Sequence, residues 1–133
     1  MTIPSFIETQ LLERQALLSA IHELILEADE TVEAEISPMM GKEMIIYKAD
    51  GLFKYGLSSV KNHLSLHLMP IYSVPALYAK YVDLLPNASF QKGCVNFKDE
   101  NQAPLPILKE LMIECSKVDL KAIIKSYGKS KKA

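Results

Sequence analysis

Asp50-Gly51 stands between two β-prone runs. A two-residue Asp-Gly step accepts positive φ at both central positions and closes a tight hairpin. It sets residues 43–48 against residues 52–58. With only those two residues in the turn, Ala49 faces Leu52, Tyr47 faces Lys54, Ile46 faces Tyr55, Ile45 faces Gly56 and Met44 faces Leu57. Opposed residues share one side of a sheet. The next run, residues 63–69, alternates strictly, with Leu64, Leu66 and Leu68 on one side and His63, Ser65 and His67 on the other. Such alternation means that one face is buried.

Parity then governs the second hairpin. Phe53, Tyr55 and Leu57 must join the three leucines, because a one-residue slip would expose them all. The loop is therefore expected at residues 59–62, with Ser58 opposite His63, Gly56 opposite Ser65 and Lys54 opposite His67. The buried side collects Met44, Ile46, Phe53, Tyr55, Leu57 and the leucines. The polar side carries Tyr47, Lys54, Ser58, His63, Ser65 and His67 around Gly56, whose missing side chain leaves room for a shallow hollow.

Helices are expected on either side of this core. Ser5 with Glu8 has the form of a capping box, so a helix should run from there to about Ala28, with Leu17, Leu18, Ile21, Leu24 and Ile25 as its apolar stripe. Val32 and Ile36, four apart, suggest one more helical turn before Ser37-Pro38, and residues 39–42 read as a loop. After Pro70, Ser73 is placed to cap a helix carrying Leu77, Tyr78, Tyr81 and Leu85, which Pro86-Asn87 stops. Residues 93–98 form a candidate strand with Val95 and Phe97 on one side and Cys94 and Asn96 on the other. Pro104 and Pro106 suit the first turn of a helix bearing Leu108, Leu111, Met112 and Cys115. Ser116 and Asp119 resemble a second capping box, opening a helix that Gly128 ends after Tyr127. The expected class is α+β, an antiparallel sheet of three to five strands with N-terminal and C-terminal helices packed on one face.

A chain of 133 residues can bury such a core as a single domain, here residues 1–127, followed by a disordered basic tail, residues 128–133. A formal net charge of -1 gives no electrostatic reason to expect nucleic acid. No leader and no apolar run of membrane-spanning length is visible, so the expected setting is the cytoplasm, away from membranes, as a monomer or homodimer. Cys94 and Cys115 have no metal-type spacing and read as buried thiols rather than a disulfide.

His63 and His67 have the H-x-x-x-H spacing, but on a strand four residues span roughly 13 Å, too far for one ion. Tyr47, Lys54, Ser58, His63, Ser65 and His67 are instead expected to form a polar platform, their hydroxyl, imidazole and ammonium donors suited to a small polar or anionic ligand. The alternative site is acidic: Glu23, Glu27 and Glu30 on one helix face, with oxygens able to hold iron or a divalent cation. No nucleophile elbow, P-loop or dinucleotide fingerprint occurs, and no cysteine stands at a recognisable spacing from a histidine. The chain thus reads first as a binding domain, without a cofactor unless iron occupies the acidic ridge. An enzyme stays open, because a lysine, a tyrosine and two histidines on one face could do acid and base work.

The segments Glu35-Ile36-Ser37-Pro38-Met39-Met40-Gly41-Lys42, Gly51-Leu52-Phe53-Lys54-Tyr55-Gly56-Leu57, Lys61-Asn62-His63-Leu64-Ser65-Leu66-His67 and Phe90-Gln91-Lys92-Gly93-Cys94-Val95-Asn96-Phe97, in this order, resemble the YdhG-like domain of unknown function. The resemblance extends from about Leu17 to Tyr127. It implies a small, loosely frataxin-like α+β domain. Some members of that family are described as iron chaperones, which would bear on this chain only through the acidic residues between Glu23 and Glu35. Two further readings stay open beside the ligand-binding one, an iron-handling protein and a protein–protein interaction module.

Overall fold

The computed structural model describes residues 2–39 and 41–123. Helices α1 (Ile3–Glu8) and α2 (Leu12–Ala28) lead into strands β1 (Val32–Met39), β2 (Lys42–Ala49), β3 (Leu52–Ser59) and β4 (Leu64–Leu68). Helices α3 (Met69–Ser73) and α4 (Pro75–Leu84), strands β5 (Ser89–Gln91) and β6 (Cys94–Phe97), and helix α5 (Leu105–Ser116) complete the order. The six strands form one antiparallel sheet in the order β1-β2-β3-β4-β6-β5, which leaves β1 and β5 at its edges. The class is α+β, as expected, with a larger sheet than the three to five strands read from the sequence.

One sheet face is covered. Leu18, Ile21 and Ile25 of α2 and Leu108, Leu111, Met112 and Cys115 of α5 form a single core with Ile45, Tyr47, Tyr55, Leu57, Leu64, Leu66, Leu68, Val95 and Phe97 of the sheet. The leucine side of β4 is therefore the inner side, and the outward side of β4 and β6 carries Ser65, His67, Cys94 and Asn96.

The Asp50-Gly51 turn forms as expected, with φ of 52° and 76° at its two residues. Beyond it the register departs from the expectation. Ala49 faces Leu52 and Lys48 faces Phe53, but Tyr47 then faces Tyr55, Ile46 faces Gly56 and Ile45 faces Leu57. Lys54 is the extra residue of a β-bulge. The bulge reverses parity along β3, so Phe53 lies on the outer face while Tyr55 and Leu57 lie on the inner one. In β2 the inner residues are Ile45 and Tyr47, and Met44 and Ile46 are outward yet still nearly sealed, at 3% and 5% exposure. The second hairpin keeps a four-residue loop but moves it to residues 60–63, so that Ser58 pairs with Ser65 and Gly56 with His67.

Four further expectations are corrected. Residues 32–36 are strand, not a helical turn: Val32, Ala34 and Ile36 point inward opposite Ala49, Tyr47 and Ile45, and Glu33 and Glu35 point out. The N-terminal helix is two helices, because the Thr9 hydroxyl (2.6 Å) and the Gln10 side-chain amide (3.3 Å) both donate to the Phe6 carbonyl and close α1. Its capping pair is Thr2 with Ser5, not Ser5 with Glu8. In the C-terminal segment Asp119 is itself the cap, its carboxylate accepting from the Lys121 and Ala122 amides. The expected helix end at Tyr127 and the tail at residues 128–133 lie outside the described residues. Among the described residues no helix is long and apolar enough to cross a membrane.

Candidate functional site

The bulge removes two residues from the expected platform. Lys54, at 3% exposure, reaches into the core, where Nζ donates to Asp29 Oδ2 at 2.8 Å. The same carboxylate accepts from the Tyr55 hydroxyl (2.6 Å) and from the amide (3.0 Å) and hydroxyl (2.6 Å) of Thr31. Burial pushes the Asp29 carboxyl upward, but the hydrogen bonds from Lys54, Thr31 and Tyr55 outweigh it and hold it below its ordinary value. Tyr47 is wholly buried, and its hydroxyl lies 2.6 Å from His22 Nδ1. Burial raises the Tyr47 phenol, which therefore keeps its proton and donates it to the imidazole. Lys54 and Tyr47 are thus parts of the core, not of an outward platform.

The hollow expected above Gly56 is filled. A Cβ at Gly56 would meet Met44 Sδ at 3.1 Å and the Phe53 ring at 3.1 Å, so these two outward side chains close over the glycine. The space lies beside it.

Ser58, His63, Ser65 and His67, the other four expected residues, do line one cleft of about 310 Å³. Met39, Met44, Val60, Gln91, Cys94 and Asn96 complete its wall, and Lys42 supplies the cationic group that Lys54 was expected to supply. Two cross-strand rows build it. Gly56, His67, Cys94 and Gln91 follow one another across β3, β4, β6 and β5, and Ser58, Ser65, Asn96 and Ser89 form the neighbouring row. Arg14 of α2 holds the loop at the cleft's end, donating to Ser59 Oγ (2.9 Å) and to the backbone carbonyls of Val60, Lys61 and His63.

Within the cleft the side chains form a chain of contacts. Ser65 Oγ donates to Asn96 Oδ1 at 2.7 Å, His67 Nε2 lies 3.4 Å from Ser65 Oγ, and His67 Nδ1 lies 2.9 Å from Cys94 Sγ. The hydroxyl proton of Ser65 is committed to Asn96, so toward His67 the serine offers lone pairs alone. This arrangement suits the His67 tautomer protonated on Nε2, in which Nδ1 turns a lone pair toward the thiol. Burial lowers His67 below its ordinary value and raises Cys94, so the resting pair is a neutral imidazole and a neutral thiol.

On the far side of this pair lies a second hollow of about 160 Å³, lined by Phe53, Leu68, Met69, Tyr72 and Gly93 and sharing His67 and Cys94 with the cleft. Cys94 and Asn96, together with Lys42 and Gln91, are site residues that sequence reasoning missed. The alternation of Cys94 and Asn96 with Val95 and Phe97 was visible, but their register against β4 was not.

The acidic alternative does not assemble. Glu23 and Glu27 are exposed on α2, but Glu30 lies beyond the helix end, past Asp29. Among the described residues no three histidines, cysteines or acids come together to hold a metal ion. Comparison of the chain with protein-family models, with curated proteins and with solved structures gives no match.

Proposed function

We propose that the protein is a cytoplasmic small-ligand-binding domain of the YdhG-like kind, and that its ligand occupies the cleft on the outer sheet face. The observation that carries the reading is the convergence of Ser58, His63, Ser65 and His67 with Asn96, Cys94 and Lys42 on one cleft. A concave site with a few convergent polar groups beside an apolar hollow suits a small molecule with a polar head and a short apolar part. His67 spends both ring nitrogens on Ser65 and Cys94, so His63 and Lys42, which also line the cleft, are the groups placed to meet a carboxylate or carbonyl oxygen.

The test is a titration of the isotope-labelled chain with butyrate and butyramide, followed by amide chemical shifts. Shifts concentrated at Ser58, Ser65, His67, Cys94 and Asn96 are expected. Replacing His63 and Lys42 by Ala should weaken butyrate binding about tenfold, or about 1.4 kcal/mol. Shifts located elsewhere, or an affinity unchanged in the double variant, would overturn the reading.

A further inference from the structure

The sequence shows no cysteine and histidine at a recognisable spacing, yet the sheet sets His67 directly opposite Cys94. We infer that Cys94 is a nucleophile that accepts an acyl group from an activated ester or thioester, with His67 taking the thiol proton and Ser65 and Asn96 holding the imidazole in position. The inference rests on the cleft being a ligand site and adds a covalent step to it.

Three observations support it together. Cys94 and His67 are each half-buried, within reach of a ligand, and both line the cleft and the apolar hollow. The thiol lies 2.9 Å from His67 Nδ1, and in the tautomer protonated on Nε2, which suits the lone pair that Ser65 turns toward it, Nδ1 is free to act as a general base. Ser65 and Asn96, at 6% and 9% exposure, are buried groups whose hydrogen bond turns a Ser65 lone pair toward Nε2 and so favours that tautomer. A nucleophile, its base and a group orienting the base are thus in contact order. The two hollows meeting at the thiol indicate the substrate class, a short acyl chain lodged against Phe53, Leu68 and Tyr72 with its polar leaving group in the cleft.

In the step itself, Cys94 Sγ forms a bond to the carbonyl carbon while its S–H bond breaks and the proton passes to His67 Nδ1. The carbonyl π pair moves onto oxygen. When that oxyanion collapses, the bond to the leaving oxygen or sulfur breaks with its electron pair, and the proton on His67 passes to the leaving group or to water. The product is a thioester on Cys94. No oxidant or further reactant is needed.

The experiment mixes the full chain with p-nitrophenyl butyrate and follows nitrophenolate release and intact mass. One equivalent released in a burst and one butyryl group mapped to Cys94 are expected. His67→Asn should slow the burst at least about a hundredfold while circular dichroism shows the chain still folded. Ser65→Ala frees Nε2 from its partner, and should both slow the burst and displace its pH profile, which a merely structural role would not do. Acylation at Cys115 or a lysine, or a burst indifferent to His67→Asn, would overturn the inference. Butyramide titrated into Cys94→Ala and Cys94→Ser separates the two claims. Binding in the cleft without acylation of the unaltered chain removes the covalent step and leaves the site, whereas absence of both removes both.

Discussion

Lys54 Nζ lies 2.8 Å from Asp29 Oδ2 with the two side chains only 4% and 1% exposed, so a strand and the end of a helix are joined by an ion pair inside the core. Removing one partner strands the other charge. Lys54→Ala should therefore destabilise the fold by about 3–5 kcal/mol, far more than a surface lysine would, as read by urea unfolding. Replacing both residues with apolar ones of similar size, Asp29→Leu with Lys54→Met, should cost less than Lys54→Ala alone. A single variant within about 0.5 kcal/mol of the parent would show that the pair contributes little.

Acid should weaken the fold in two stages. His22 and His67 both sit below their ordinary value of 6.5, chiefly through burial. Folding thus favours their neutral forms, and the stability they contribute is present above pH 6.5 and declines as pH falls through that value. Asp29 is held below its ordinary 3.8, so its contribution is present above that pH and is lost in a second decline below it. Urea midpoints measured from pH 7.5 downward should show both. In His67→Gln the first decline should shrink, and an unaltered slope would contradict the assignment.

Arg14 reaches from α2 to the loop after β3, where its guanidinium holds a hydroxyl and three carbonyls. Arg14→Ala should leave the sheet folded but loosen residues 60–63, with faster amide exchange at Val60, whose N–H donates to the His63 carbonyl. Because His63 lines the cleft, butyrate affinity should fall in the same variant. Exchange at Val60 equal to that of the parent would count against a clamp.

Gly93 is crowded, since a Cβ there would come to 3.0 Å of the Tyr72 Cβ and 3.1 Å of the Leu68 carbonyl oxygen, so its neighbours would have to shift by a few tenths of an ångström. Backbone cannot yield as a flexible side-chain end does. Gly93→Ala should cost about 1–3 kcal/mol and push Tyr72 away from the hollow beside Cys94. A melting temperature equal to the parent's would show that the α3 junction yields freely.

What the sequence revealed was local. The Asp50-Gly51 turn and the alternation from His63 to Leu68 each depend on a few neighbouring residues, and they correctly oriented β4, with its leucines inward and Ser65 and His67 outward. The faces of β2 were not legible. Met44, Ile45, Ile46 and Tyr47 are apolar in succession, and a period of two cannot say which pair is inward. The bulge that decides it is anchored by Asp29, 25 residues before Lys54. Val32 and Ile36 satisfy the helical and the strand period equally, and only their pairing with β2 makes them strand. The thiol–imidazole contact joins residues 27 apart through β4 and β6, a pairing that nothing in either strand announces.

The two margins of the sheet differ in chemistry and agree in effect. On one side β1 interrupts its run of donors with Pro38 and alternates Glu33 and Glu35 along its length; on the other β5 is three residues long. A strand offered by another molecule would find carboxylates and a missing N–H at the first border, and little length to zip along at the second. Lateral polymerisation is disfavoured at both, which leaves the broad outward surface, where the cleft opens, free of strand-on-strand competition.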